Sequence, residues 1–337
     1  MIAKKTSSML RGIAILIVIA SHYAGWMFVE PAHPLAKHLI STWGPPGVDI
    51  FLLLSGYGLY RSATGKNGGI TPLFVLKRIL AVVLPYLVIA ALIHLFAGTW
   101  TQAAAEGTLA EAVKNYLTAS DFWYMQVLFV LYAAFMLCFR FGSFLRVPLL
   151  GAAVIGYTVW LYNTAHADFW ELSNISFLIG VLAAGAERLW PGVLKRKPVQ
   201  ITVGVVGGIG MFICFRGMVE NGGSGVSESF GWELAMNLFF TLIILCLAWL
   251  IRRQRSGILA VLGACSLFIY LTHTVLFWTW IFRLTEKMSY AWAAALTGVG
   301  TILLSCAVGL LYDRLSSRWI KACMPKKQEK GVRKPDL

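Results

Sequence analysis

The chain has 337 residues, of which 58% are apolar and only 13% charged, with a mean hydropathy of +0.72. A soluble domain carries about twice that charged fraction, so the composition excludes one and points to an integral membrane protein. The net charge of +14 would suggest a nucleic-acid partner in a soluble protein; here the placement of the charges explains it better, and no nucleic acid is expected.

Ten apolar segments are each long enough to cross a hydrocarbon core, about residues 9–28, 47–62, 73–97, 121–141, 147–163, 169–188, 199–219, 231–251, 258–283 and 291–315. The first follows Lys4 and Lys5 but lacks a clear small-residue cleavage site, so it reads as a retained helix rather than a signal peptide. Alternate connections separate by charge. Arg61, Lys66, Lys77 and Arg78 fall on one side, as do Arg188, Lys195, Arg196 and Lys197, then Arg252, Arg253 and Arg255. Glu30, Glu106, Glu111, Asp168, Glu220 and Glu228 fall on the other. The positive-inside rule then places both termini in the cytosol. The expected fold is all-α: a single polytopic membrane domain over 1–337, of about ten transmembrane helices, with a basic cytosolic tail over about 316–337.

In chain order, the first candidates are Arg11 and His22, eleven residues apart inside the first span. On a helix that is about 16 Å and returns to nearly the same face. A charge inside a membrane costs at least a few kcal/mol, which makes such residues candidates for function. Arg11 could instead simply snorkel to the headgroups at the cytosolic end. That reading leaves His22 unexplained, since it lies just beyond mid-membrane. A neutral imidazole in a dry core suits general-base work, and a guanidinium can grip phosphate bidentately.

The second span opens on Gly47-Val48-Asp49-Ile50-Phe51, and Ser55-Gly56-Tyr57 follow. Asp49 is read either as a first-turn acid complementing the helix dipole or as a group that orients His22. The third span carries Lys77-Arg78 before Leu84-Pro85-Tyr86; the basic pair sets topology or clamps a cytosolic anion. Trp123, Trp160 and Trp170 read mostly as membrane-interface aromatics. Ser266, Tyr270 and His273 recur at i, i+4 and i+7, so they share one helix face and line a cavity. His33, His38 and His166 fall in outer loops and are expected to be solvated; His94 is expected at the interface. The six cysteines show no metal-ligand spacing, so no metal site is expected.

Taken together, Arg11 with His22, Gly47 to Tyr57, Lys77-Arg78 to Pro85-Tyr86, Phe122-Trp123-Tyr124 with Tyr132, and Ser266 to His273 resemble, in order and spacing over about residues 8–280, the membrane acyltransferase-3 family. The resemblance implies about ten helices and movement of acyl groups, usually acetyl, from cytosolic acyl-CoA to sugar hydroxyls of surface or periplasmic glycans. It implies a catalytic His22 with Arg11 as its functional partner. One departure is Val82, where the family often has a second Arg three residues before the proline. The esterase-like domain fused to some members is absent, so transfer is expected to finish within the membrane domain.

The expected function is therefore O-acyl transfer in the bacterial inner membrane. Arg11, Arg78 and Lys77 would meet the phosphates of acyl-CoA, His22 and Asp49 would be catalytic, and Tyr270, His273 and Trp123 would contact the acceptor. Expected partners are acyl-CoA, a glycan or lipid-linked acceptor, and membrane lipids. Direct transfer and an acyl-histidine both remain open, as does a rival class: a glycan or lipid flippase without bond chemistry. Arg11 and His22 are expected to face one continuous cavity with Tyr270 or His273 on its wall.

Overall fold

The computed structural model describes residues 2–27, 44–65, 68–120, 122–164, 172–220, 226–254 and 256–323. These are helical, with no strand among them. The loop bearing His33 and His38, the stretch with His166, Asp168 and Trp170, and the chain beyond Cys323 lie outside the described residues.

The helices are α1 Lys4–Met27, α2 Gly44–Thr64, α3 Pro72–Arg78, α4 Leu84–Phe96, α5 Thr99–Ala105, α6 Leu109–Thr118, α7 Trp123–Cys138, α8 Arg146–Asn163, α9 Asn174–Leu189, α10 Lys197–Glu220, α11 Val226–Leu250, α12 Gly257–Thr285 and α13 Tyr290–Cys323. Each expected span overlaps one of them, except the third, which runs over α3 and α4. Among the described residues six helices or helix runs are long and apolar enough to cross a membrane, or seven if α6 and α7, bent by 61°, are one broken span. Helices α7 and α9 have only 16 residues each, short of the roughly 20 a free-standing span needs. Helix α13 runs on to Cys323, through the first residues of the expected basic tail.

Glycine decides how the central helices meet. A Cβ on Gly12 would lie 2.2 Å from the Leu259 carbonyl oxygen, and one on Gly263 would lie 1.7 Å from that of Ser8. Helices α1 and α12 therefore touch backbone to backbone, the close approach that small residues permit in membranes. Their contacts advance together along both chains, so α1 and α12 run parallel, as a first and a ninth span should. Gly56 and Gly180 do the same for α2 and α9, with would-be Cβ atoms 2.1 Å from the carbonyl oxygens of Phe177 and Leu53. Helix α1 is thus held between α2 and α12, and Leu52 and Leu53 of α2 and Ile269 of α12 are fully buried.

The third span is not a plain α-helix. Thr71 caps α3, its hydroxyl accepting from the Phe74 N–H at 3.1 Å. After Arg78 the chain widens into a π turn, Ile79–Val83, in which the Leu84 N–H bonds back to the Ile79 carbonyl. Pro85 follows and has no N–H to donate. The Leu80 carbonyl, bypassed by this wider step, accepts instead from the Tyr312 hydroxyl of α13 at 2.5 Å.

Candidate active site

The Gly12–Gly263 contact sets the register of everything beyond it. Ten residues further along each helix stand His22 and His273, and their rings meet. His22 Nδ1 lies 2.7 Å from His273 Nε2, with the ring planes 10° apart. His273 is buried and His22 partly so.

The network assigns the protons. His273 Nδ1 lies 2.6 Å from the Tyr270 carbonyl oxygen. A carbonyl only accepts, so Nδ1 of His273 carries the hydrogen and its Nε2, in the neutral ring, carries the lone pair. That lone pair accepts from His22 Nδ1–H. A neutral His22 therefore has its own lone pair on Nε2. One backbone carbonyl has fixed the tautomer of two imidazoles in series, leaving the outermost nitrogen basic.

A cavity of 180 Å³ lies on the Arg11 side of this pair. Arg11 and Arg78 line it, with Ser55 from α2, Val82 from the π turn, Tyr124 and Tyr132 from α7, and Ser266 and Tyr270 from α12. Arg11 is deep in the bundle yet accessible, because the cavity opens beside it. Arg78 donates to Ser62 at 3.3 Å and lies over the Phe74 ring, while its Nε is buried without a partner. Two guanidinium groups thus face one space with no carboxylate among the described residues of its lining. That arrangement attracts an anion and does not neutralise itself.

The expectation of one continuous cavity from Arg11 to His22 needs correction. Tyr270 is on the cavity wall, as expected, but His22 and His273 are not on the lining. The Tyr270 ring packs edge-on against Tyr124 at 5.1 Å and lies 5.7 Å from the His273 ring. The tyrosine pair therefore stands between the arginines and the histidines.

Asp49 is also placed differently. It is fully buried, and Ser176 of α9 donates to its Oδ1 at 2.7 Å. The observed orienting group at His22 is an imidazole, whereas Asp49 pins α2 to α9. Lys77 is exposed and Trp123 packs against Tyr124 at 6.2 Å; neither lines the cavity. His94, expected at the interface, is buried against Trp100 and Tyr116. Sequence reasoning gave Ser55, Tyr124, Tyr132 and Val82 no place in the site. For Val82 a signal existed, since the cavity-facing position is the one where the family often carries its second Arg.

The profile of the acyltransferase-3 family, described as an acyltransferase domain, matches residues 8–310. No curated protein and no solved structure matches the chain. The match spans both histidines, both cavity arginines and the helices that hold them. The chain belongs to the acyltransferase-3 family of membrane acyltransferases.

Proposed function

We propose that the protein is an O-acyltransferase of the bacterial inner membrane. It moves an acyl group, acetyl by family habit, from cytosolic acyl-CoA to a hydroxyl of a glycan or related acceptor on the far side. This reading has both termini in the cytosol and ten spans, with α2, α7, α8 and α9 crossing in addition to the six long apolar helices or helix runs. The observation that carries it is the His22–His273 pair, with a basic lone pair on His22 Nε2, next to a cavity holding two unneutralised arginines.

Arg11 and Arg78 fit the donor phosphates: both reach the same cavity, and Arg78 Nε has no partner among the described residues. His22 Nε2 takes the proton of the acceptor hydroxyl as that oxygen bonds to the acyl carbon and the carbon–sulfur bond breaks. His22 then returns the proton to the departing sulfur. His273 holds the His22 ring in the productive tautomer and shares the positive charge that forms on it. An acyl-histidine route would use the same nitrogen as nucleophile. For substrate to reach His22 from the arginines, the Tyr270 side chain must turn aside.

The test is transfer of labelled acetyl from acetyl-CoA by purified protein in nanodiscs. Expected is CoA release matched by an ester on the acceptor, both lost in His22→Ala. Acceptor movement across the membrane without CoA release would establish the flippase instead.

A further inference from the structure

A second concavity lies away from this site. It measures 350 Å³ and is lined by His94 at the end of α4 together with Gln102, Glu106, Thr108, Glu111 and Asn115 of the α5–α6 hairpin. This is within the range of small-molecule sites, about 300–1,000 Å³.

The hairpin is held firmly. Gly98 and Gly107 take positive φ, 71° and 74°, at the entry to α5 and between the two helices. The Tyr86 hydroxyl donates to the Tyr116 carbonyl at 2.5 Å, and the Tyr116 hydroxyl donates back to the Leu87 carbonyl at 2.8 Å. Behind the pocket the rings of His94, Trp100 and Tyr116 pack mutually at 5.2, 5.5 and 6.1 Å. Two reciprocal bonds and an aromatic cluster tie α6 to α4, so the concavity exists before any ligand arrives.

Its chemistry is the reverse of the arginine cavity. The lining has two carboxylates, two carboxamides and two threonine hydroxyls, with no lysine or arginine. Gln102 donates to Glu106 at 2.9 Å, which fixes both on the rim. Acceptors outnumber donors, so the wall favours a ligand rich in O–H donors and repels phosphates and uronates. Its place along the bundle fits as well. His94 lies sixteen residues beyond Arg78, about 24 Å further along the span, at the end of the molecule toward which α1 carries His22.

We infer that the α5–α6 concavity is a binding site for an uncharged, hydroxyl-rich carbohydrate unit, which holds the acceptor glycan of the proposed reaction at the His22 end of the bundle. The inference rests on the acyl-transfer reading for the ligand's role, but its binding is measured without turnover.

The experiment is saturation-transfer NMR on the full protein in nanodiscs. The probes are neutral tetrasaccharides of glucose, mannose, galactose and N-acetylglucosamine, with a tetragalacturonate and choline as controls. At least one neutral tetrasaccharide is expected to bind. Its affinity should fall by about tenfold or more in the Gln102→Leu/Asn115→Leu variant, which removes two hydrogen-bonding amides from exposed or half-exposed positions. Circular dichroism and melting identical to the parent show that this variant is folded; if it is not, Glu111→Gln is used in its place. No binding by any neutral probe, undiminished binding in the variant, or preference for the uronate or for choline overturns the assignment. Neutral-sugar binding with no acyl transfer refutes the transferase reading and leaves the pocket standing.

Discussion

Replacing His273 by Phe keeps a flat ring in the α12 slot but removes the acceptor that faces His22 Nδ1–H at 2.7 Å. The lost bond matters most when His22 is protonated, because it is then charge-assisted. A hydrogen bond to a charged group is worth about 1.5–3 kcal/mol, which at 1.36 kcal/mol per decade gives a fall in kcat of about 10–150-fold. Removing His22 itself costs about 10²–10⁴-fold, the range for a general base. Donor KM should not move in His273→Phe, since both arginines and the cavity walls at α2 and α7 are untouched. The assay is single-turnover CoA release in nanodiscs at saturating donor. If His273 acts only through His22, the double variant His22→Ala/His273→Phe is no slower than His22→Ala alone, the non-additivity expected of coupled groups. Wild-type kcat in His273→Phe would refute the relay. A loss as large as that of His22→Ala, additive in the double variant, would make His273 a base in its own right.

Arg11→Lys keeps the charge but loses the planar fork; CoA affinity by titration calorimetry should weaken about tenfold, and an unchanged Kd would reduce Arg11 to a topology marker. Gly263→Ala puts a Cβ 1.7 Å from the Ser8 carbonyl oxygen, forcing α1 and α12 apart at a cost of about 1–3 kcal/mol; a wild-type melting temperature in detergent would contradict the backbone contact. Tyr312→Phe leaves the Leu80 carbonyl of the π turn without its donor, costing about 1–3 kcal/mol, and faster hydrogen exchange at Leu84 is the expected sign; exchange and melting like the parent would mean that water serves that carbonyl equally well. A C-terminal green fluorescent fusion should be bright and a C-terminal alkaline phosphatase fusion inactive; the reverse would break the even span count.

Hydrophobic runs and loop charges were enough to locate helices, because a membrane makes that signal strong and local. Arg11, Arg78 and Tyr270 were legible for the same reason: a polar residue in an apolar run stands out. What escaped is what depends on tertiary register. The pairing of His22 with His273 joins residues 251 apart, and it is set by how α12 seats against α1, at the Gly12–Gly263 contact among others. Asp49 lost its expected partner because the serines that take it begin a helix more than 120 residues away. The π turn has a local cause in Pro85, but that proline alone does not say that the chain widens before it or that Tyr312 supplies the missing donor. Span counting reached furthest beyond what single helices show: α7 and α9 have only 16 residues each, and α2 and α8 are also not among the helices long and apolar enough to cross by themselves.

The parallel seating of α12 against α1 also bears on how the protein is made. Arg11 and His22 both lie on α1, while His273 is not synthesised until some 250 residues later. Until α12 inserts and its Gly263 settles against Ser8 and Gly12, His22 lacks the partner that fixes its tautomer. A nascent or truncated chain ending before α12 therefore holds Arg11 and His22 but not the imidazole that fixes the His22 tautomer. Long sequence separation slows such docking, so the His22–His273 pair forms only once α12 has been made and seated against α1.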